Sequence, residues 1–323
     1  MLHVQEAMPK VKVTTLCRVF EVPRSSFYYR SSRRDESGVK KAVEEVAAAW
    51  PRFGYQGLTG QLRFEEKTDA RGKPIGERRV KRALKELGLL RKPRARKVRT
   101  TNSEHGYARF ENLVKDRQAT RPDEIWASDL TYIKLGSGFV YLSVILDLFT
   151  RSIRGWHLSR SLGGEAPLLA LKKALDLGDR CAAHHGGRCP QIHHSDQGVQ
   201  YAADDYVKLL QSREVQISMA AVGCPEENGF VERWMRTLKE DHVSMSEYHD
   251  FWDCQAQIGV FIEEVYQRKR VHSSLGYLPP AVFEERWWEA RARTGSESEC
   301  RDTLAILPKP LPWAGDGVTI SQA

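Results

Sequence analysis

The sequence predicts an α/β fold, a mixed five-stranded sheet with flanking helices preceded by a small all-α region. Three observations carry this. Residues 122–288 hold three strand-like runs in succession and then alternate helix with strand. Residues 38–90 instead place apolar side chains at helical spacing. Three acids of the first region, Asp129, Asp196 and Glu232, stand in or beside apolar runs, where a carboxylate is costly unless something positive holds it.

The elements follow in order. Residues 11–29 read as helix, turn, helix, with Leu16, Val19 and Phe20 apolar and Pro23 opening the second helix. Ser25, Ser26, Tyr28 and Tyr29 are there to face phosphates, or the segment is a plain helical hairpin. This gives a short segment over 1–30 and a polar linker after it. A helical module spans 38–90. Val39, Val43, Val46, Ala47 and Trp50 form its first stripe, which Pro51 ends. Leu58, Leu62 and Phe64 mark a second helix. A third follows Gly76, with Val80, Ala83, Leu84 and Leu87 inside and Gly88 as its stop. Its outward side carries Arg78, Arg79, Lys81, Arg82 and Lys85, as a groove-reading helix would, or as an ordinary charged solvent face would.

Charge patterning points the same way. The chain of 323 residues carries +8 overall, yet residues 71–100 alone hold thirteen Lys or Arg against Glu77 and Glu86, an excess of +11. The rest therefore nets −3. A basic cluster confined to one segment is the footprint of a phosphate-contacting surface, the other reading being a solvated linker. Residues 91–121 form a basic linker. Six cysteines lack the density of a disulfide framework and read as reduced thiols of a cytosolic protein. No stretch approaches the roughly 18 apolar residues of a membrane span, and the first residues lack an apolar signal core.

In the α/β region, strands are expected at Ile125–Ile133, Phe139–Asp147, Ile153–His157, Gln191–His194 and Val215–Met219, with a hairpin turn at Gly136-Ser137-Gly138. Helices are expected at Gly163–Leu177, Ala203–Gln211, Asn228–Lys239 and Phe251–Tyr266. Residues 289–323, with Pro308, Pro310 and Pro312, read as a flexible tail. Cys181, His184, His185 and Cys189 have zinc-like spacing but sit in a Gly-rich loop without the paired pattern of a finger.

Asp129, Asp196 and Glu232 resemble the acidic triad of the DDE transposases and retroviral integrases. Thirty-five residues separate Asp196 from Glu232, the characteristic spacing, and Lys239 matches the basic residue on the same helix. The blocks Trp126-Ala127-Ser128-Asp129-Leu130-Thr131-Tyr132-Ile133, His194-Ser195-Asp196-Gln197-Gly198-Val199-Gln200-Tyr201 and Tyr266-Gln267-Arg268-Lys269-Arg270-Val271-His272-Ser273-Ser274-Leu275-Gly276-Tyr277 are similar to the second-reading-frame (OrfB) transposases of the insertion-sequence-three family. The sequence departs from the pattern where Glu227-Asn228 replaces Asp-Asn and where Tyr266-Gln267 replaces Tyr-Asn. The resemblance implies a ribonuclease-H-like catalytic core over 122–288 and a helix-turn-helix region before it.

It also implies a chemistry. Cutting and joining a phosphodiester needs an activated oxygen, a stabilised leaving oxygen and charge neutralisation at phosphorus, which two divalent ions supply. Mg2+ or Mn2+ takes carboxylate oxygens, so Asp129, Asp196 and Glu232 are expected as catalytic and metal-holding residues. Asn228, Glu232, Met235 and Lys239 step by 4, 3 and 4 residues and share a helix face. Lys239 and Arg236, with Arg270 and the five basic residues of 78–85, are expected to contact DNA. Arg270 and His272 would support the active-site helix or touch DNA, a structural role for His272 being the alternative. Expected partners are terminal-repeat and target DNA, further copies of the chain on paired ends, and a first-reading-frame protein, in the bacterial cytoplasm at the nucleoid. Two other functions stay open: a catalytically silent DNA-binding regulator or relic, and a nuclease that nicks without joining. The complete triad with Lys239 argues against the first, and the basic N-terminal region against the second.

Overall fold

A computed structural model describes residues 11–25, 36–90, 110–115, 117–136, 138–185, 190–221 and 224–294, without the side chains of 181–185, 225, 226 and 294. The chain divides into two compact units, Met1–Gly38 and Val39–Ala323. In the first, α1 spans Val13–Val19 and buries Leu16 and Cys17. Only its next two helical residues, 24 and 25, are described, so most of the expected second helix lies outside the described residues.

Helix α2, Ser37–Ala49, leads into the second unit. With α3, Tyr55–Phe64, and α4, Glu77–Glu86, it forms the helical module. Val39, Val43 and Val46 recur every three or four residues, so one face of α2 meets Leu58 and Leu62 of α3 and Val80, Ala83 and Leu84 of α4 in one buried cluster. Gly88 ends α4 at φ +71°, a left-handed conformation that glycine adopts at low cost.

Five strands form one sheet: β1 Ile125–Leu135, β2 Gly138–Asp147, β3 Ile153–Ser159, β4 Ile192–Ser195 and β5 Gln216–Met219. Their order is β3-β2-β1-β4-β5. The first three are antiparallel, joined by short turns, while β4 and β5 are parallel to β1. Helices α5 (Glu165–His185) and α6 (Asp204–Ser212) cover one side. Trp126 and Ile145 of the sheet face that side, with Leu171, Leu175, Tyr206 and Leu210. Gly155 permits the close approach, since a Cβ there would run into the Ala170 carbonyl. α5 runs eight residues past its expected end at Leu177.

The opposite side is covered by α7 (Gly229–Asp241) and α8 (Phe251–Val260). Ala127, Ile133, Leu142, Val144 and Leu146 pack there against Val231, Trp234, Met235 and Leu238 of α7. The expected helix Phe251–Tyr266 is α-helical only through Val260. It then widens into a π-helical turn, Phe261–Tyr266, which buries Phe261, Ile262 and Tyr266. Helix α9, Pro280–Thr294, continues past Trp288, where the sequence suggested a polar tail, because Phe283, Trp287 and Ala290 keep its inner stripe buried. Phe283 and Trp287 fill a cluster with Ile125, Phe149 and Ile192.

An ionic network ties these pieces together. Arg154 of β3 holds Asp123, with Nε to Oδ1 at 2.6 Å, and Glu284 of α9, with Nη2 to Oε1 at 2.7 Å. Burial alone would push Arg154 down, but the carboxylates of Glu284, Asp123 and Asp147 hold its guanidinium well above the usual range. No helix among the described residues is long and apolar enough to cross a membrane.

Candidate active site

Strand geometry places the first acid. β1 has eleven residues but β4 only four, and their pairing ends at Ser128↔Ser195. Asp129 continues β1 beyond that pairing and Asp196 follows the last residue of β4, so both stand where the two parallel strands part. Side chains alternate along a strand. Ala127 and Ile133 both face α7, so Asp129 faces α7 too, and its partner across the antiparallel ladder, Val144, belongs to the same cluster.

Local hydrogen bonds orient both carboxylates. Asp129 Oδ1 accepts from the Leu130 backbone N–H at 2.7 Å. Asp196 Oδ1 accepts from the Gly198 N–H at 3.0 Å, closing a tight turn. A Cβ on Gly198 would stand 2.9 Å from that same oxygen, so a side chain there would displace the carboxylate. Buried Tyr201 reports the proximity of the acids. Burial first, then the charges of Asp129 and Asp196, raise its phenol well above the usual range.

Helix α7 carries the third acid. Its N-cap, Asn228, donates from Nδ2 to the Ser128 carbonyl at 3.0 Å, although it is buried. One hydrogen bond thus fixes the start of α7 to the residue preceding Asp129, and Glu232 follows one turn later on the same face. Further along, Lys239 Nζ lies 4.7 Å from the ring centroid of exposed Tyr132, three residues beyond Asp129. Among the described residues no three His, Cys, Asp or Glu side chains are gathered as a ready metal-binding group.

Both departures from the family pattern have structural work. Glu227 accepts from the Ala221 backbone N–H and from Asn112 Nδ2, each at 2.7 Å, pinning the loop before α7. Gln267 bonds both backbone groups of Ile153, accepting at 3.2 Å and donating at 3.1 Å, as a neighbouring strand would. His193 and His194 serve packing. His193 meets the Tyr206 hydroxyl at 3.0 Å and His194 meets Ser218 Oγ at 2.9 Å. Burial lowers His193 to about 3 and His194 to about 4, so both are neutral near pH 7.

The basic residues divide. Arg78, Lys81, Arg82 and Lys85 are exposed on α4. Arg79 is half-buried and pairs with Asp69 at 2.5 Å, which draws that carboxyl down to about 2. Arg236 is exposed on α7. Arg270 is engaged with Asp241 at 2.8 Å and with the Phe53 ring at 4.9 Å. His272 is buried with its ring edge-on to Tyr266. Cys189 and the side chains of Cys181, His184 and His185 lie outside the described residues. Sequence reasoning missed Tyr201 as the acids' neighbour and Asn228 as their anchor, although Tyr201 closes one of the quoted blocks and Asn228 opens the expected helix.

An Integrase core domain model matches residues 119–225, and a second of the same description matches 213–280. An uncharacterized 31 kDa protein of insertion element IS600 from Shigella sonnei is 32% identical, over 86% of this chain and all of the relative. Transposase InsF of insertion sequence IS3A from Escherichia coli is 30% identical, over 88% of this chain and 98% of the relative. The chain belongs to the IS3 family of transposases. As an IS3-family transposase it is an enzyme of the DDE polynucleotidyl transferase type, and its sheet is that of an integrase core. Among solved structures, the HTLV-2 integrase catalytic core domain in complex with magnesium is 16% identical, covering 47% of this chain and 92% of that one at a TM-score of 0.32.

Proposed function

We propose that this transposase cleaves and joins DNA strands at the ends of its mobile element, with Asp129, Asp196 and Glu232 as the catalytic acids. The observation that supports this reading is that Asp129 and Asp196 each follow the last paired residues of β1 and β4, Ser128 and Ser195, with α7 tethered to Ser128. The donor set is all carboxylate oxygen, which suits a hard divalent cation, so two Mg2+ or Mn2+ ions would be held by these three residues. When bound, such ions would neutralise charge at the scissile phosphate and ease deprotonation of the attacking hydroxyl. The protein's own contribution is positional. The Gly198 and Leu130 N–H groups fix the carboxylates, and the Asn228 tether sets the distance from which Glu232 reaches in.

Lys239 and Arg236 on α7 and the exposed Arg78, Lys81, Arg82 and Lys85 on α4 would contact DNA phosphates. Arg79 and Arg270 act less directly, since each already holds a carboxylate. In this reading residues 38–90 are the DNA-binding module, 122–288 the catalytic core, and several copies of the chain assemble on paired ends in the bacterial cytoplasm. A first-reading-frame protein would add to that assembly.

Labelled element ends incubated with the protein and Mg2+ provide the test. Strand-transfer products are expected. Binding without cleavage would indicate a silent regulator, and nicking without joining a simple nuclease. Asp129→Asn should abolish both cleavage and joining while DNA affinity changes little. Activity that survives this substitution would remove Asp129 from the chemistry.

A further inference from the structure

A cavity of about 540 Å3 opens on the reverse of α7. Its wall on that helix is Phe230, Arg233, Trp234 and Thr237. The spacing of these residues puts them on the face opposite Asn228, Glu232 and Lys239. The other walls are the start of α3, the turn after β2 and the segment 266–277. Four guanidinium groups line it, those of Arg52, Arg151, Arg233 and Arg270, and no carboxylate does. Asp241, outside the lining, pairs with Arg270 alone among these four.

Two further features point to a ligand. Arg151 is only 7% exposed, yet among the described residues its Nη1 has no hydrogen-bond partner, and neither has Trp234 Nε1 nor His272 Nε2 in the same walls. Donors buried without partners are costly and uncommon. The first turn of α3 also faces the cavity. Its N-cap is Gly54, which has no side chain to cap the helix, so no cap side chain takes up the first-turn N–H groups in this wall. Arginines, indole and backbone N–H groups, and the positive end of a helix macrodipole together form an oxyanion receptor. The field is felt nearby: after burial, the charges of Arg270, Arg151 and Arg233 hold His272 well below the usual imidazole range.

We propose that this cavity is a phosphate-binding site, separate from the acidic centre, and that a backbone phosphate of bound DNA fills it. The choice of DNA over free phosphate rests on the transposase reading; the oxyanion site itself does not. Occupancy would join α3, α7 and the 266–277 segment through one anion.

The test uses the full chain. Thermal melting is followed while sodium phosphate replaces sodium chloride at constant ionic strength. Saturable stabilisation is expected. Arg233→Gln, at an exposed position, should weaken it roughly tenfold, whereas Lys208→Gln, exposed on α6, should leave it intact. Binding of a generic DNA duplex is then measured against salt. A slope that falls by about one in Arg233→Gln supports the DNA phosphate. An unchanged slope with the phosphate effect lost in that variant overturns DNA as the source and leaves free phosphate as the ligand. Melting that phosphate moves no more than chloride overturns the site. Asp129→Asn should keep the phosphate effect, so failure of the catalytic assignment would show separately from failure of this one.

Discussion

At the scale of single residues, the site depends on small groups that orient large charges. Gly198 is the clearest case. Its N–H holds Asp196 Oδ1, and any side chain at 198 would press on that oxygen. Gly198→Ala should therefore fold normally but displace the carboxylate, slowing strand cleavage about 100-fold, the cost of roughly an ångström of misplacement. Unchanged turnover in a single-turnover cleavage assay would show that this turn does not set the carboxylate. The acids themselves were legible in the sequence, because Asp129 interrupts an apolar strand and the interval to Glu232 is distinctive. Tyr201 was not, because a tyrosine near a turn carries no signal of what its ring will face.

At the scale of elements, the strands and most helices of the core were legible from apolar periodicity. α5 runs past its expected stop at Leu177, and α9 was not among the expected helices, although buried Phe283, Trp287 and Ala290 sustain its stripe among polar neighbours. The π-helical turn at Phe261–Tyr266 had no signal, since it satisfies the same apolar pattern as an α-helix. Placement of α7 is a matter of one tether. Asn228→Ala would leave the Ser128 carbonyl buried without its donor, a cost of about 1–3 kcal/mol. It would also free the first turn of α7 from β1. Chemical denaturation should show that loss, and cleavage should fall by more than the small unfolded fraction explains. A variant as stable and active as the parent would remove the tether from the account.

At the scale of the whole molecule, charge does what apolar burial leaves undone. Arg154 stands among Asp123, Asp147 and Glu284, contributed by the approach to β1, the end of β2 and α9. Arg154→Met would strand the buried acids Asp123 and Asp147, and the expected loss is about 3–5 kcal/mol, read from the urea midpoint. A shift under 1 kcal/mol would mean that water already screens the network. Neither this network nor the arginine cavity was legible beforehand. Residues 52, 151, 233 and 270 are too far apart along the chain for any local pattern to join them. The same network bears on how the core should be excised. The stretch matched by the integrase models stops at residue 280, but Phe283, Glu284 and Trp287 lie just beyond it and cap the underside of β1. A fragment cut at that boundary would expose an apolar floor and leave a guanidinium short of one anion, so a recombinant core should extend to Thr294.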